Sequence, residues 1–168
     1  MSVVIADPRA ATRLTHLSRI VERELRHLKS TDGRLFSEPF TETTAVRLEE
    51  DEALAERVEA FVSRFGRLQD TLGDKLLPAW LAAHGERVAS FVDNLDRAEK
   101  LALIDNVQDW IDMRKLRYQM VHEYVDDPLV LASALQAAHR FVPTLEQVAG
   151  RLTAGFISED QHPRAPQS

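Results

Sequence analysis

At 168 residues with 44% hydrophobic content and no cysteine, the chain has enough apolar material for one core, and a disulfide scaffold, a thiolate zinc site and a thiol nucleophile are all excluded. Its 21 Lys plus Arg stand against 27 Asp plus Glu, a net charge of -6, so no global field draws it toward nucleic acid or anionic lipid. Any contact with a polyanion must come from a local patch, and most of the cations are arginines, whose planar fork grips phosphate bidentately.

The opening MSVVIADPRAA has no basic segment followed by an apolar run. No later stretch approaches the ~18 apolar residues that span a bilayer. A chain without export signal, located in the cytoplasm, is the expectation. Asp7-Pro8 signals a helix start, an acidic N-cap followed by a proline in the first turn. Leu14, Leu17, Ile20, Val21, Leu25 and Leu28 then form one apolar stripe, with a stop expected at Asp32-Gly33. Residues 34–48, with Pro39 and a threonine cluster, read as a surface connection.

The run Glu49 to Glu52 suits the first turn of a second helix. Its stripe is Leu54, Val58, Phe61, Val62, Phe65, Leu68, Leu72 and Leu76. Gly66 and Gly73 each cost such a helix about 1 kcal/mol against alanine, and Pro78 should bend or end it. A third helix is expected over Val88 to Leu103. Asp105 to Gln108 reads as a capping box for a fourth, with Trp110 and Trp80 as core residues. The fourth should stop at Asp126-Asp127-Pro128, where Asp127 caps a fifth that Pro143 should kink.

No segment alternates with period two, so the expected fold class is all-α, an antiparallel bundle of about five helices. A single domain over residues 1–156 and a polar, disordered tail over 157–168 are the expectation. The histidines outside the fourth helix, His16, His27, His84, His139 and His162, lack partners at metal-ligand spacing, so no metal site is expected. No glycine pattern for phosphate or dinucleotide binding is present, so no cofactor is expected either.

The segment MRKLRYQMVHEYVDDP, residues 113–128, departs from the apolar logic of the rest. Arg117 and Tyr124, seven apart, lie on nearly one stripe, and His122 sits ~140° round from Arg117. Arg114 and Tyr118 fall between. Two guanidiniums, an imidazole and two phenols thus share the end of one helix, where they need carboxylates, solvent or an anionic ligand. The plain alternative is that Arg and His complement the helix dipole, with Glu123, Asp126 or Asp127 as ion-pair partners.

RYQMVHEY, residues 117–124, resembles the R-x4-H-x-Y signature of the HepT-like branch of the HEPN superfamily, as do the preceding Trp110 and the following VDDP. These are helical ribonuclease toxins paired with minimal nucleotidyltransferase antitoxins, in a type VII-like toxin–antitoxin arrangement. Close similarity covers about residues 107–130. The resemblance implies a homodimer in which Arg117 and His122 of two subunits form a metal-independent RNA-cleaving site. It also implies Tyr124 as the tyrosine that the antitoxin adenylylates. Arg114 and Lys115 would add phosphate contacts, and Tyr118 would line the site where the family commonly has a small polar residue such as Asn. That departure leaves a second reading open: a non-catalytic, nucleotidyltransferase-binding helical protein.

Overall fold

The computed structural model describes residues 7–122 and 126–156. Tyr124, Glu123 and the tail 157–168 lie outside the described residues. The described residues form only helices and their connections: α1 (Pro8–Leu35), α2 (Glu42–Val46), α3 (Glu52–Asp70), α4 (Leu77–Ala83), α5 (Phe91–Lys100), α6 (Val107–His122) and α7 (Pro128–Thr153). A π-helical turn, Thr71–Leu76, joins α3 to α4. Counted as rods, α1, α3 with α4, α5, α6 and α7 are the five expected helices, and α2 is an addition.

Side-chain pairs give the directions. Along α1, Glu24 lies by Thr71, Arg64 reaches the His27 carbonyl and the Thr31 hydroxyl, and Phe36 meets Phe61 edge-on at 5.2 Å. As α1 advances α3 recedes, so the two are antiparallel. Lys29 with Glu146 and Asp32 with His139 set α7 antiparallel to α1. Arg114 with Asp74 and Arg117 with Asp70 do the same for α6 against α3 and its π turn. The core lies between these helices, where Leu14, Leu28, Phe61, Phe65, Leu135 and Leu145 are fully buried. Each such side chain contributes roughly 1.5–3 kcal/mol by leaving water.

Caps explain the helix ends. Asp7 accepts from the Arg9 amide, Asp51 from the Leu54 amide and Asp127 from the Leu129 and Val130 amides, each satisfying first-turn donors that have no helical partner. Several expectations are corrected. α1 runs past Asp32-Gly33 to Leu35, and Asp32 serves instead to bind His139 at 2.6 Å. Residues 34–48 are not a plain surface connection: Thr41 and Thr44 form a reciprocal capping box for α2, and Phe40 is buried. The third helix is shorter than expected, starting at a Ser90 cap and ending before Ala102, whose φ of 58° breaks the helical path.

Asp105 to Gln108 is not a reciprocal box either. Asn106 accepts from the Gln108 amide while Glu99, from α5, accepts from the Val107 amide. Pro78 does not end its rod, because it falls in the first turn of α4 directly after the π turn, where the α-helical repeat is already interrupted. α7 continues through Pro143, which has no N–H to donate to the His139 carbonyl. Trp110 is core, whereas Trp80 is partly exposed and stacks on His84 at 3.7 Å.

Candidate functional site

α6 differs from its neighbours in how little of itself it hides. Only Trp110, Met113 and Met120 are buried, and these anchor one face against the bundle. Arg114, Lys115, Tyr118, Val121 and His122 are exposed: Arg114 and Val121 on the flanks of the buried face, and Lys115, Tyr118 and His122 on the outer face. Tyr118 is 63% exposed and Val121 55%. The Tyr118 ring lies over His122 with centroids 4.1 Å apart and planes 36° apart, as their four-residue spacing allows.

Arg117 points the other way. It lies against α3, where its Nη1 donates to Asp70 at 2.6 Å, yet its side chain keeps 42% of its accessibility. It is therefore neither sealed in the core nor free on the surface. One turn earlier Arg114 donates to Asp74 at 2.9 Å and places its guanidinium 3.4 Å above the Phe91 ring. The carboxylates that meet the motif cations thus come from α3 and the π turn. The sequence candidates Asp126 and Asp127 are not the partners: Asp127 is spent on capping α7, and Glu123 lies outside the described residues. Lys115 is exposed, and Tyr124 is outside the described residues.

Beside Arg117 an open groove of about 590 Å³ runs between α3 and the end of α6. Val62, Met120 and Val121 form its apolar wall, and Arg67, Arg117 and Ser63 supply donors, with Glu59 and Asp70 as carboxylates. Arg67 and Ser63 were invisible as site residues in the sequence, since they sit in a helix far from the motif and carry no signature of their own.

Within the chain, Arg117 and His122 therefore lie on different surfaces, the groove and the outer face, as the ~140° offset requires. Chemically, the groove can seat an anion or an amphipathic ligand, and the outer face offers an imidazole and a phenol for proton transfer. Among the described residues no group of three His, Asp or Glu stands where it could hold a metal ion. None of the described helices is long and apolar enough to cross a membrane.

Two carboxylates near this framework have shifted titration. Burial pushes the Glu24 carboxyl above its ordinary range, against the opposing pull of Thr71, Arg67, Lys75 and Arg23. Asp109, in the first turn of α6, is raised by burial and by the like charges of Asp112 and Asp105. No family model, curated protein or solved structure matches this chain.

Proposed function

We propose that this chain is a metal-independent endoribonuclease, a toxin of the HepT-like kind, acting as a homodimer in the cytoplasm. Arg117 and His122 carry the chemistry and Tyr124 is the residue that a minimal nucleotidyltransferase partner adenylylates. The observation that supports it best is the placement of Arg117 and His122 at the weakly buried end of α6, with Arg117 at the wall of an open groove and His122 on the adjoining outer face.

In this reading one imidazole removes the proton from a ribose 2′-hydroxyl, and the 2′-oxygen attacks the neighbouring phosphorus. The P–O5′ bond breaks and the 5′-oxygen takes a proton, leaving a 2′,3′-cyclic phosphate and a free 5′-hydroxyl. Histidine suits both proton transfers near neutral pH. A guanidinium stabilises the charge that builds on the phosphorane oxygens. Because one helix cannot aim both groups at one phosphate, a second copy related by a twofold axis would bring the groove of one subunit to the outer face of the other. Exposed Tyr118 and Val121 are the residues such an interface would cover. Adenylylation of Tyr124 would add phosphate charge and bulk beside the cations and block RNA.

A second reading has an observation of its own. Asp70 and Asp74 neutralise Arg117 and Arg114, and Tyr118 covers one side of His122. This is what a non-catalytic, nucleotidyltransferase-binding protein would tolerate. Induction of the chain alone in a bacterium separates the two. The nuclease reading expects growth arrest that disappears in Arg117→Ala and in His122→Ala and is relieved by co-expressed minimal nucleotidyltransferase. Full expression of folded protein without arrest, or arrest indifferent to both substitutions, favours the adaptor.

A further inference from the structure

Gly66 and Gly73 are seven residues apart, and so are Trp110 and Arg117. With α3 and α6 antiparallel, the two pairs come opposite each other. A Cβ built on Gly73 would meet the Phe91 ring at 3.1 Å and the Trp110 ring at 3.4 Å. One built on Gly66 would lie 2.6 Å from Arg117 Nε and 3.1 Å from its Cδ and Cζ. The glycines are thus a pair of notches in α3 and its π turn. Gly73 receives the core anchor Trp110 and Gly66 receives the motif arginine. Asp70 follows Gly66 by four residues, so its carboxylate stands one turn along the same face and takes Nη1. That leaves other N–H donors of the fork for a ligand. Arg67, the residue after Gly66, lines the same groove as Arg117.

We propose that Gly66 and Asp70 are positioning residues that hold Arg117 in a fixed pose, and that Arg67 joins it to make a two-arginine seat for an RNA phosphodiester in the α3–α6 groove. The proposal rests on the ribonuclease reading and adds to it three residues that lie outside the motif. It also explains the ion pair that favours the adaptor. Asp70 is a tether for the guanidinium, and part of its hold is exchanged for phosphate when RNA enters. The apolar wall of Val62, Met120 and Val121 lies beside this seat, where a nucleobase can rest.

The test uses the full chain and a defined oligoribonucleotide. Gly66→Ala improves local helix propensity, and the group it would crowd is the flexible end of an arginine, so the melting temperature stays level or rises. Displacing Arg117 nevertheless lowers kcat/KM by about 10–100-fold. Asp70→Asn removes the competing charge while keeping the shape, so KM for RNA falls as kcat falls with the lost tether, a split that a merely structural role would not produce. Arg67→Gln raises KM and reduces the slope of log affinity against log salt by about one. Arginine-selective 15N spectra give a readout independent of activity: the Arg117 Nε–H signal, assigned by its loss in Arg117→Lys, should shift strongly in Gly66→Ala. An unmoved signal overturns the cradle whether or not RNA is cut. Unchanged kcat and KM in Asp70→Asn overturn the tether. A wild-type protein that cuts nothing overturns the ribonuclease reading, while the Nε–H signal still decides the cradle.

Discussion

The helices α6 and α7 lie side by side and are made to opposite specifications. α7 buries a residue at nearly every turn, from Leu131 through Leu135, Ala138, Val142 and Leu145 to Leu152. α6 buries three and holds its remaining surface with ion pairs and a cation stacked on Phe91. The difference separates a helix seated by apolar burial from one seated in part by charge pairs. α7 is held chiefly by apolar burial, which stabilises more per residue than the half-exposed charge pairs that hold part of α6. The polar side of α6 is instead available for recognition.

Substitutions should reproduce that division. The largest loss is expected on the α1–α3–α7 side, where Phe61 is fully buried between Phe36 and Phe65. Phe61→Ala should cost about 3–5 kcal/mol in urea unfolding. By contrast Val121→Ala, on the exposed end of α6, should fall within about 0.5 kcal/mol of wild type. A comparable loss at Val121 would erase the distinction between the two helices.

Next in size is the seam itself. Gly73→Ala presses on two packed rings rather than on the end of one arginine side chain, so overpacking should cost about 1–3 kcal/mol. Because Gly66→Ala should cost nothing, the two alanines test which notch is structural. Smaller still is the Arg117–Asp70 pair. Both side chains keep about two fifths of their exposure, so Arg117→Ala should lower stability by less than about 1 kcal/mol, and by less again in high salt. A loss of several kcal/mol would mean that the pair is a folding element.

The smallest effect is one of pH. Burial raises the Glu24 carboxyl in the folded protein above its ordinary value of 4.5. The folded state therefore holds that proton more tightly than the unfolded chain. The stabilisation this gives is full below 4.5 and is lost as pH rises through the folded value. Glu24→Gln should raise the melting temperature at neutral pH, with a gain that shrinks as the pH falls and disappears below 4.5. A gain equal at every pH would assign the effect to something other than ionisation.

The sequence was most legible where the physics is local. The caps at Asp7-Pro8 and Asp127-Pro128 and the stripes of α1, α3 and α7 depend on residues within a turn or two of one another. α2 was missed because its box closes through Thr44 where Glu or Gln is the usual signal, and because nothing local marks Phe40 as buried. The ion pairs of α6 span 40 and 47 residues, and no periodicity links Arg117 to Asp70. Gly66 and Gly73 show the same limit more sharply. Read along the chain they weaken a helix; read across the antiparallel seam they admit Trp110 and Arg117.

The central question for this protein is whether the end of α6 cuts RNA. The most direct measurement incubates purified protein with mixed RNA in the presence of EDTA and identifies the termini produced. The expected result is 2′,3′-cyclic phosphate and 5′-hydroxyl ends, reduced at least about 100-fold in His122→Ala and likewise in Arg117→Ala. Cleavage undiminished in both variants, or 3′-hydroxyl ends from a different chemistry, would contradict it.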